Sequence, residues 1–302
     1  LKFLELGVWA TQSFEQIQRS WEQNKKYFVF VGFKYSDFHL GHLTLAREIA
    51  WHYEQGGMPF FVVSGHEGVP ISTKTAEEYV NRFLFIIKKL TNVEVNTSNI
   101  HLDVQEQGIY YLEDLISRQL TVNKLKQLYG WSDFDTLYKM KIPSMLCASF
   151  LFPNLQNGNY STVILADVNQ ATHMEILKIV SKKLKITTPA VSYRMLLPSL
   201  KKMQERMSIK DKESAIYISD DVISMERKLS KSITGGKNTK LEQYENGANP
   251  TICSFFWVAQ TILDNNRLEK ILNKCISGEI LCSECKKQNI DLIVNKINSL
   301  KF

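Results

Sequence analysis

Apolar residues recur along the first two thirds of the chain in two alternating patterns. Residues 13–25 carry Phe14, Ile17 and Trp21 at helical spacing, which predicts an amphipathic helix. Tyr27 to Gly32 is a continuous apolar run ending in glycine and reads as a buried strand. After a loop come a helix over 39–53, a second apolar strand over 59–64, and a helix over 75–90 with Tyr79, Phe83, Ile86 and Ile87 facing inward. A strand over 163–166, a helix over 171–184 and a short apolar segment over 190–197 continue the alternation. Strands alternating with helices predict an α/β fold, a doubly wound parallel sheet covered on both faces. Beyond about residue 220 the strand patterns stop. Residues 221–233, 250–264, 266–276 and 283–299 read as helices, punctuated by Gly235-Gly236, Gly247 and Gly278. The expected organisation is an α/β domain over 1–220, with an inserted helical segment, followed by an all-helical domain over 221–302.

Composition narrows the classes of function. The 302 residues are 44% hydrophobic and 11% aromatic, enough to bury a core, which excludes a disordered or fibrous chain. No uncharged apolar run approaches the ~20 residues of a membrane span, so no membrane partner is expected. The opening Leu1-Lys2-Phe3-Leu4-Glu5-Leu6 is too short and charged for a secretory signal, and without Met it reads as trimmed. Five cysteines do not form a disulfide framework, and a reducing cytoplasm is the expected location. The net charge of +6 is local: residues 178–240 hold 15 Lys and Arg against 6 Asp and Glu. A phosphate-bearing ligand would be drawn there.

Ligands of doubly wound sheets bind beyond the carboxyl ends of the strands. The first such end carries Ser36-Asp37-Phe38-His39-Leu40-Gly41-His42-Leu43. His39 and His42, three apart, share one side of a first helical turn. Gly41 lets a flat ring approach the backbone. A helix N-terminus offers free N–H groups to phosphate. Together these could hold ATP and stabilise charge at its α-phosphate during nucleotidyl transfer. The bland reading, a pair of packing histidines, stays open beside it.

In this setting the His39-Leu40-Gly41-His42 turn resembles the HIGH motif of class I aminoacyl-tRNA synthetases. Trp21 to Phe28, Tyr129-Gly130-Trp131-Ser132-Asp133, Lys141-Ile142-Pro143 and Cys275 to Lys287 are similar to segments of archaeal and eukaryotic tryptophanyl-tRNA synthetases. The resemblance spans residues 20 to 300, without the archaeal-type N-terminal extension. It implies a Rossmann-like catalytic domain, ATP with Mg2+, an amino-acid substrate, tRNA as partner (tRNA-Trp above all), and a homodimer built largely on residues 221–302.

Such enzymes also need a mobile lysine–serine loop. Lys228-Leu229-Ser230-Lys231-Ser232 looks like KMSKS. However, Val222, Met225, Leu229 and Ile233 form one apolar stripe, so this segment is expected to be a packed helix. The better match is Arg206-Met207-Ser208-Ile209-Lys210, which is followed by Ala215-Ile216-Tyr217-Ile218-Ser219-Asp220-Asp221 and Thr234-Gly235-Gly236, in register with the family. Arg206 stands for the first lysine and Lys210 for the last serine, replacements that differ in reach and geometry.

The resemblance then implies roles. His39 and His42 would stabilise the α-phosphate. Ser208 and Lys210, with Arg206, would hold the pyrophosphate. Gly41 and Met207 would flank the adenine, with Gly32 also on the nucleotide. Ala166-Asp167-Val168-Asn169-Gln170 resembles the GxDQ or AIDQ element, where Asn169 would touch the ribose or, on the residues alone, cap a helix. Phe30, Glu67, Leu146 and Gln170 would line the amino-acid pocket. Here the chain departs from the family. Phe30 stands for a tyrosine, Val62 and Leu146 for glutamines, and Phe33 for an arginine. Positions 62 and 146 read equally as core. A pocket that loses its polar groups loses discrimination. Two functions are then open: tryptophan–tRNA ligation, or a divergent relative that binds nucleotide or RNA, or activates another small molecule. No metal site is expected: Cys282 and Cys285 with nearby Cys275 lack a fourth ligand close in sequence and read as buried thiols.

Overall fold

The computed structural model describes residues 6–65, 70–156, 160–208 and 211–302. Chain order gives β1 (Val8–Gln12), α1 (Glu15–Glu22), β2 (Tyr27–Lys34), α2 (Gly41–Glu54), β3 (Gly57–Ser64), α3 (Thr73–Thr91), β4 (Ile100–Leu102), α4 (Gln107–Ser117), α5 (Val122–Tyr129), α6 (Leu137–Leu151), β5 (Thr162–Asp167), α7 (Ala171–Leu184) and β6 (Ala190–Arg194). Then come α8 (Val222–Lys231), α9 (Lys240–Asn246), α10 (Ser254–Ile262), α11 (Asn265–Ile276) and α12 (Cys282–Asn298). These residues cluster into two compact units. The first gathers residues of Leu1–Tyr35, Arg47–Ile87 and Val93–Met195. The second gathers those of Ser36–Ala46, Lys88–Asn92 and Leu196–Phe302.

The first unit is a Rossmann-like α/β body. Its sheet runs β1-β6-β5-β2-β3-β4, parallel throughout except for β1, which pairs antiparallel with β6 at one edge. The order reverses between β2 and β5, the switch point of a doubly wound sheet. Alternate residues of β2 serve opposite faces. Phe28 and Phe30 join Phe60 of β3, Ile109 of α4, Phe150 of α6 and Leu177 of α7 in one core. Phe33 stacks on Phe61 at 5.9 Å and meets Tyr79 and Phe83 of α3 edge-on. Burial on both faces is why these strands read as unbroken apolar runs. Helix α1 is shorter than the expected 13–25, because Asn24 adopts a left-handed φ of 49° just beyond it.

In the second unit, helix α8 packs against α12, whose Ile293, Val294 and Ile297 are buried. The change of unit after Met195 lies upstream of the 220/221 boundary read from the sequence. The reason is local bonding. Ile233 N–H donates to Leu200 O at 2.9 Å, and Lys228 Nζ donates to Ala215 O at 3.0 Å, which ties residues 200–220 to α8 and its C-terminal end.

Candidate active site

The histidine turn is built within the second unit, at the start of α2. Leu40 N–H donates to Ile216 O at 3.0 Å, and Ile218 N–H donates to Phe38 O at 2.8 Å. These two bonds splice residues 38–40 onto residues 216–218, with His39 paired to Tyr217. The imidazoles of His39 and His42 lie 4.3 Å apart between centroids. Gly41 N–H donates to Nδ1 of His39 at 3.0 Å. A Cβ on Gly41 would sit 2.6 Å from Cε1 of His39, so the ring that this glycine admits is that of His39 itself.

His39 is held neutral. Burial, then the neighbouring His42, then Arg206 bring its pKa down to about 3. A neutral ring whose Nδ1 accepts from Gly41 carries its proton on Nε2. His39 is therefore a hydrogen-bond donor without formal charge, able to bind a phosphoryl oxygen through Nε2–H.

The Arg206–Ser208 segment belongs to the same unit. Met207 N–H donates to Leu197 O at 3.0 Å, and the Met207 side chain is buried. Ser208 N–H donates to Ser214 Oγ at 3.1 Å, while the hydroxyl of Tyr217 donates to Ser208 O at 3.3 Å. Arg206 is exposed. Lys210 lies outside the described residues. Tyr217 and Ser214 were not among the expected site residues, yet they fasten this loop. For Tyr217 the sequence signal was the Ala215-to-Asp221 stretch downstream of the loop; Ser214 lies just before that stretch.

The rejected lysine–serine run is helical, within α8. Lys228 is buried, with its Nζ 2.6 Å from Asp220 Oδ2 and 5.3 Å from the centroid of the Tyr217 ring. Its ammonium is thus a structural brace beneath residues 215–220.

The remaining expected residues lie in the first unit. Phe30 is buried, with its ring 5.3 Å from Phe150 and stacked at 6.5 Å on Phe60. Val62 is buried, and Leu146 is partly buried against the same core. Gly32 occupies an exposed position of β2 with ordinary room for a Cβ. Asn169 is exposed in a 3-10 turn after β5, and Asp167 is the cap there. Gln170 Oε1 accepts from Asp167 N–H at 2.9 Å, so its amide closes the strand end. Glu67 lies outside the described residues. Beneath these lies an ion network that the sequence did not disclose: Arg194 bridges the fully buried Glu48 at 3.3 Å and Asp167 at 3.1 Å, and Ser192 donates to Glu48. Burial raises the Glu48 pKa, against the pull of Arg194.

Comparison with known proteins adds lineage. Residues 22–297 match the family described as tRNA synthetases class I (W and Y). The tryptophan–tRNA ligase of Methanocaldococcus jannaschii is 23% identical over 308 residues, covering 96% of this chain and 81% of that protein. The cytoplasmic tryptophan–tRNA ligase of Oryctolagus cuniculus is 25% identical over 309 residues, covering 97% of this chain and 65% of that one. The solved tryptophanyl-tRNA synthetase of Aeropyrum pernix K1 shares the fold, with a TM-score of 0.82 at 21% identity over 99% of this chain and 86% of that one.

Proposed function

This chain belongs to the class I tRNA synthetases of the W and Y family, and from that premise we propose that it is a tryptophan–tRNA ligase. Tryptophan's carboxylate attacks the α-phosphorus of ATP, pyrophosphate leaves, and the tRNA terminal hydroxyl then displaces AMP. The carboxylate is already ionised, so no general base is needed, and positioning and electrostatics carry the rate.

The observation that carries the reading is the splice of the His39–His42 turn onto residues 216–218, with Tyr217 fastening Ser208. Nε2–H of His39 would bind an α-phosphoryl oxygen alongside His42. Ser208, Arg206 and Lys210 would hold the pyrophosphate. Gly41 and Gly32 would serve the nucleotide, and Asn169 the ribose. Met207, being buried, would support the adenine site through its backbone. Phe30, Leu146, Glu67 and Gln170 would shape the amino-acid site. Mg2+ would arrive on the phosphates; among the described residues no group of three or more His, Cys, Asp or Glu side chains is arranged to hold one metal ion, so we assign it no protein ligand. Residues 221–302 would supply the anticodon-side domain and a contact with a second copy, the basic stretch 178–240 would meet tRNA, and the cytoplasm would be the setting.

The test is amino-acid-dependent exchange of labelled pyrophosphate into ATP, run over all twenty amino acids. A tryptophan signal that His42→Ala abolishes supports the ligase. The burial of Phe30 and Val62 among apolar neighbours favours a second reading, a divergent relative activating another substrate. A signal with a different amino acid would establish that reading, and silence with every amino acid would sink the ligase and leave a relative that binds nucleotide or RNA or activates a different kind of small molecule.

A further inference from the structure

A chain of polar side chains runs beneath the carboxyl end of β5, within the first unit. Ser192 donates to Glu48, Arg194 Nη1 donates to Glu48 Oε2 at 3.3 Å, and Arg194 Nη2 donates to Asp167 Oδ1 at 3.1 Å. Strand alternation explains how they line up. Ile164, Ala166 and Val191 join the core on one face of the sheet. Asp167, Ser192 and Arg194 therefore turn to the other face, where α2 supplies Glu48. Asp167 and Arg194 stand side by side in the β5–β6 register.

Exposure rises along this chain. The Glu48 side chain is 0% exposed, that of Arg194 6% and that of Asp167 34%, so Asp167 is the end that a solute can touch. Its position is fixed twice over, by Arg194 on the side chain and by Gln170 Oε1, which accepts from the Asp167 N–H at 2.9 Å. Asp167 ends β5, which lies beside β2 where the strand order reverses. Doubly wound sheets bind their ligands beyond the strand ends at that point.

The chemistry of that end selects what it binds. An ionised carboxylate only accepts hydrogen bonds, and it repels phosphate. Arg194 already supplies its countercharge, so a second cation, an ammonium or a metal ion, gains little there. Neutral hydroxyl donors remain, and a hydrogen bond from O–H to a carboxylate is about twice as strong as one between neutral groups. Asn169, exposed two residues further on, offers only an uncharged amide acceptor. In a nucleotide the hydroxyl donors belong to the ribose. We infer, on the reading that this chain binds ATP, that Asp167 accepts a hydrogen bond from the ribose hydroxyls and, ahead of Asn169, makes the site prefer a ribonucleotide to a deoxyribonucleotide. Arg194 and Glu48 are its positioning residues.

The test is calorimetric titration of the full chain with ATP, 2′-deoxyATP and 3′-deoxyATP, with no amino acid present. Wild type should bind at least one deoxynucleotide about tenfold or more weakly than ATP, the loss of one charge-assisted bond. Asp167→Asn should weaken ATP toward the affinity of that analogue while leaving the analogue itself nearly unchanged. Damage to the fold would weaken all three alike. Asn169→Ala should keep most of the wild-type preference. Equal affinities in wild type, a preference that survives Asp167→Asn, or one that vanishes in Asn169→Ala overturns the role of Asp167 while ATP binding stands. Folded wild type that binds no ATP overturns it together with the ligase. Asn169 is exposed, so its variant decides the assignment even where Asp167→Asn does not fold.

Discussion

The ring of Tyr217 stands edge-on to the imidazole of His39, 6.0 Å between centroids at an interplanar angle of 87°. Its hydroxyl meanwhile donates to the Ser208 carbonyl. One side chain thus touches both the histidine turn and the loop proposed to close on the phosphates. Tyr217→Phe keeps the ring and removes the bond. A single such bond is worth about 1 kcal/mol. Tryptophan-dependent pyrophosphate exchange should fall about fivefold, while the thermal midpoint should drop by no more than about 4 °C. Unaltered exchange would show that the fastening of Ser208 is irrelevant to closure.

Gly41→Ala should be far more damaging than its size suggests. The new Cβ would stand within 2.6 Å of the His39 ring, so the imidazole must move or the first turn of α2 must. Misplacing a binding group by about 1 Å can cost roughly 100-fold in rate, and that is the expected loss in exchange. Far-UV circular dichroism should remain that of wild type. Full exchange activity in Gly41→Ala would mean that the observed His39 pose is not the working one.

Much of the fold was legible because its strands are buried on both faces. Runs such as Tyr27 to Val31 and Val163 to Ala166 have no polar interruption to confuse with another period. The sequence did not disclose β1, whose exposed edge alternates in burial, or β4, only three residues long. Helix α7 was readable to both its ends, since Gln170 precedes it and Lys185 leaves it with a left-handed φ of 56°. The histidine turn and the Arg206–Ser208 segment of the candidate site stand out in the sequence, but the contacts that join them do not. Nothing local at His39 announces Tyr217, because two long-range backbone bonds make that contact.

Lys228 and Lys231 belong to the same apparent motif but should respond in opposite ways. Lys228 is buried and paired with Asp220, whereas Lys231 is exposed. Removing one partner of a buried pair costs about 3–5 kcal/mol, because the other charge is left uncompensated. Lys228→Ala should therefore lower the denaturation midpoint sharply. Lys231→Ala should change stability by less than about 0.5 kcal/mol and leave exchange intact. A large activity loss without a stability loss in Lys231→Ala would reinstate that run as the closing loop.

Acid should destabilise this fold before carboxylates begin to titrate. His52 is fully buried, and burial brings its pKa down to about 3; the same value holds for His39. The hydroxyl of Tyr27 lies 2.9 Å from Nδ1 of His52, and the ring has no exposed surface at which water could solvate an imidazolium. In the unfolded chain both rings bind a proton near pH 6.5. Below that pH the unfolded state holds more protons than the folded one, so stability falls as pH falls, starting near 6.5 and continuing toward about 3. Urea midpoints should accordingly decline between pH 7 and pH 5.5, above the ordinary range of aspartate and glutamate; among the described residues only the buried Glu48, whose pKa burial raises, works against the decline. Replacing one histidine by a neutral acceptor of similar length, His52→Gln, should flatten that decline by the share His52 contributes, even if it lowers stability at pH 7. A variant whose midpoint drops with acid as steeply as wild type would show that His52 is not a source of the pH dependence.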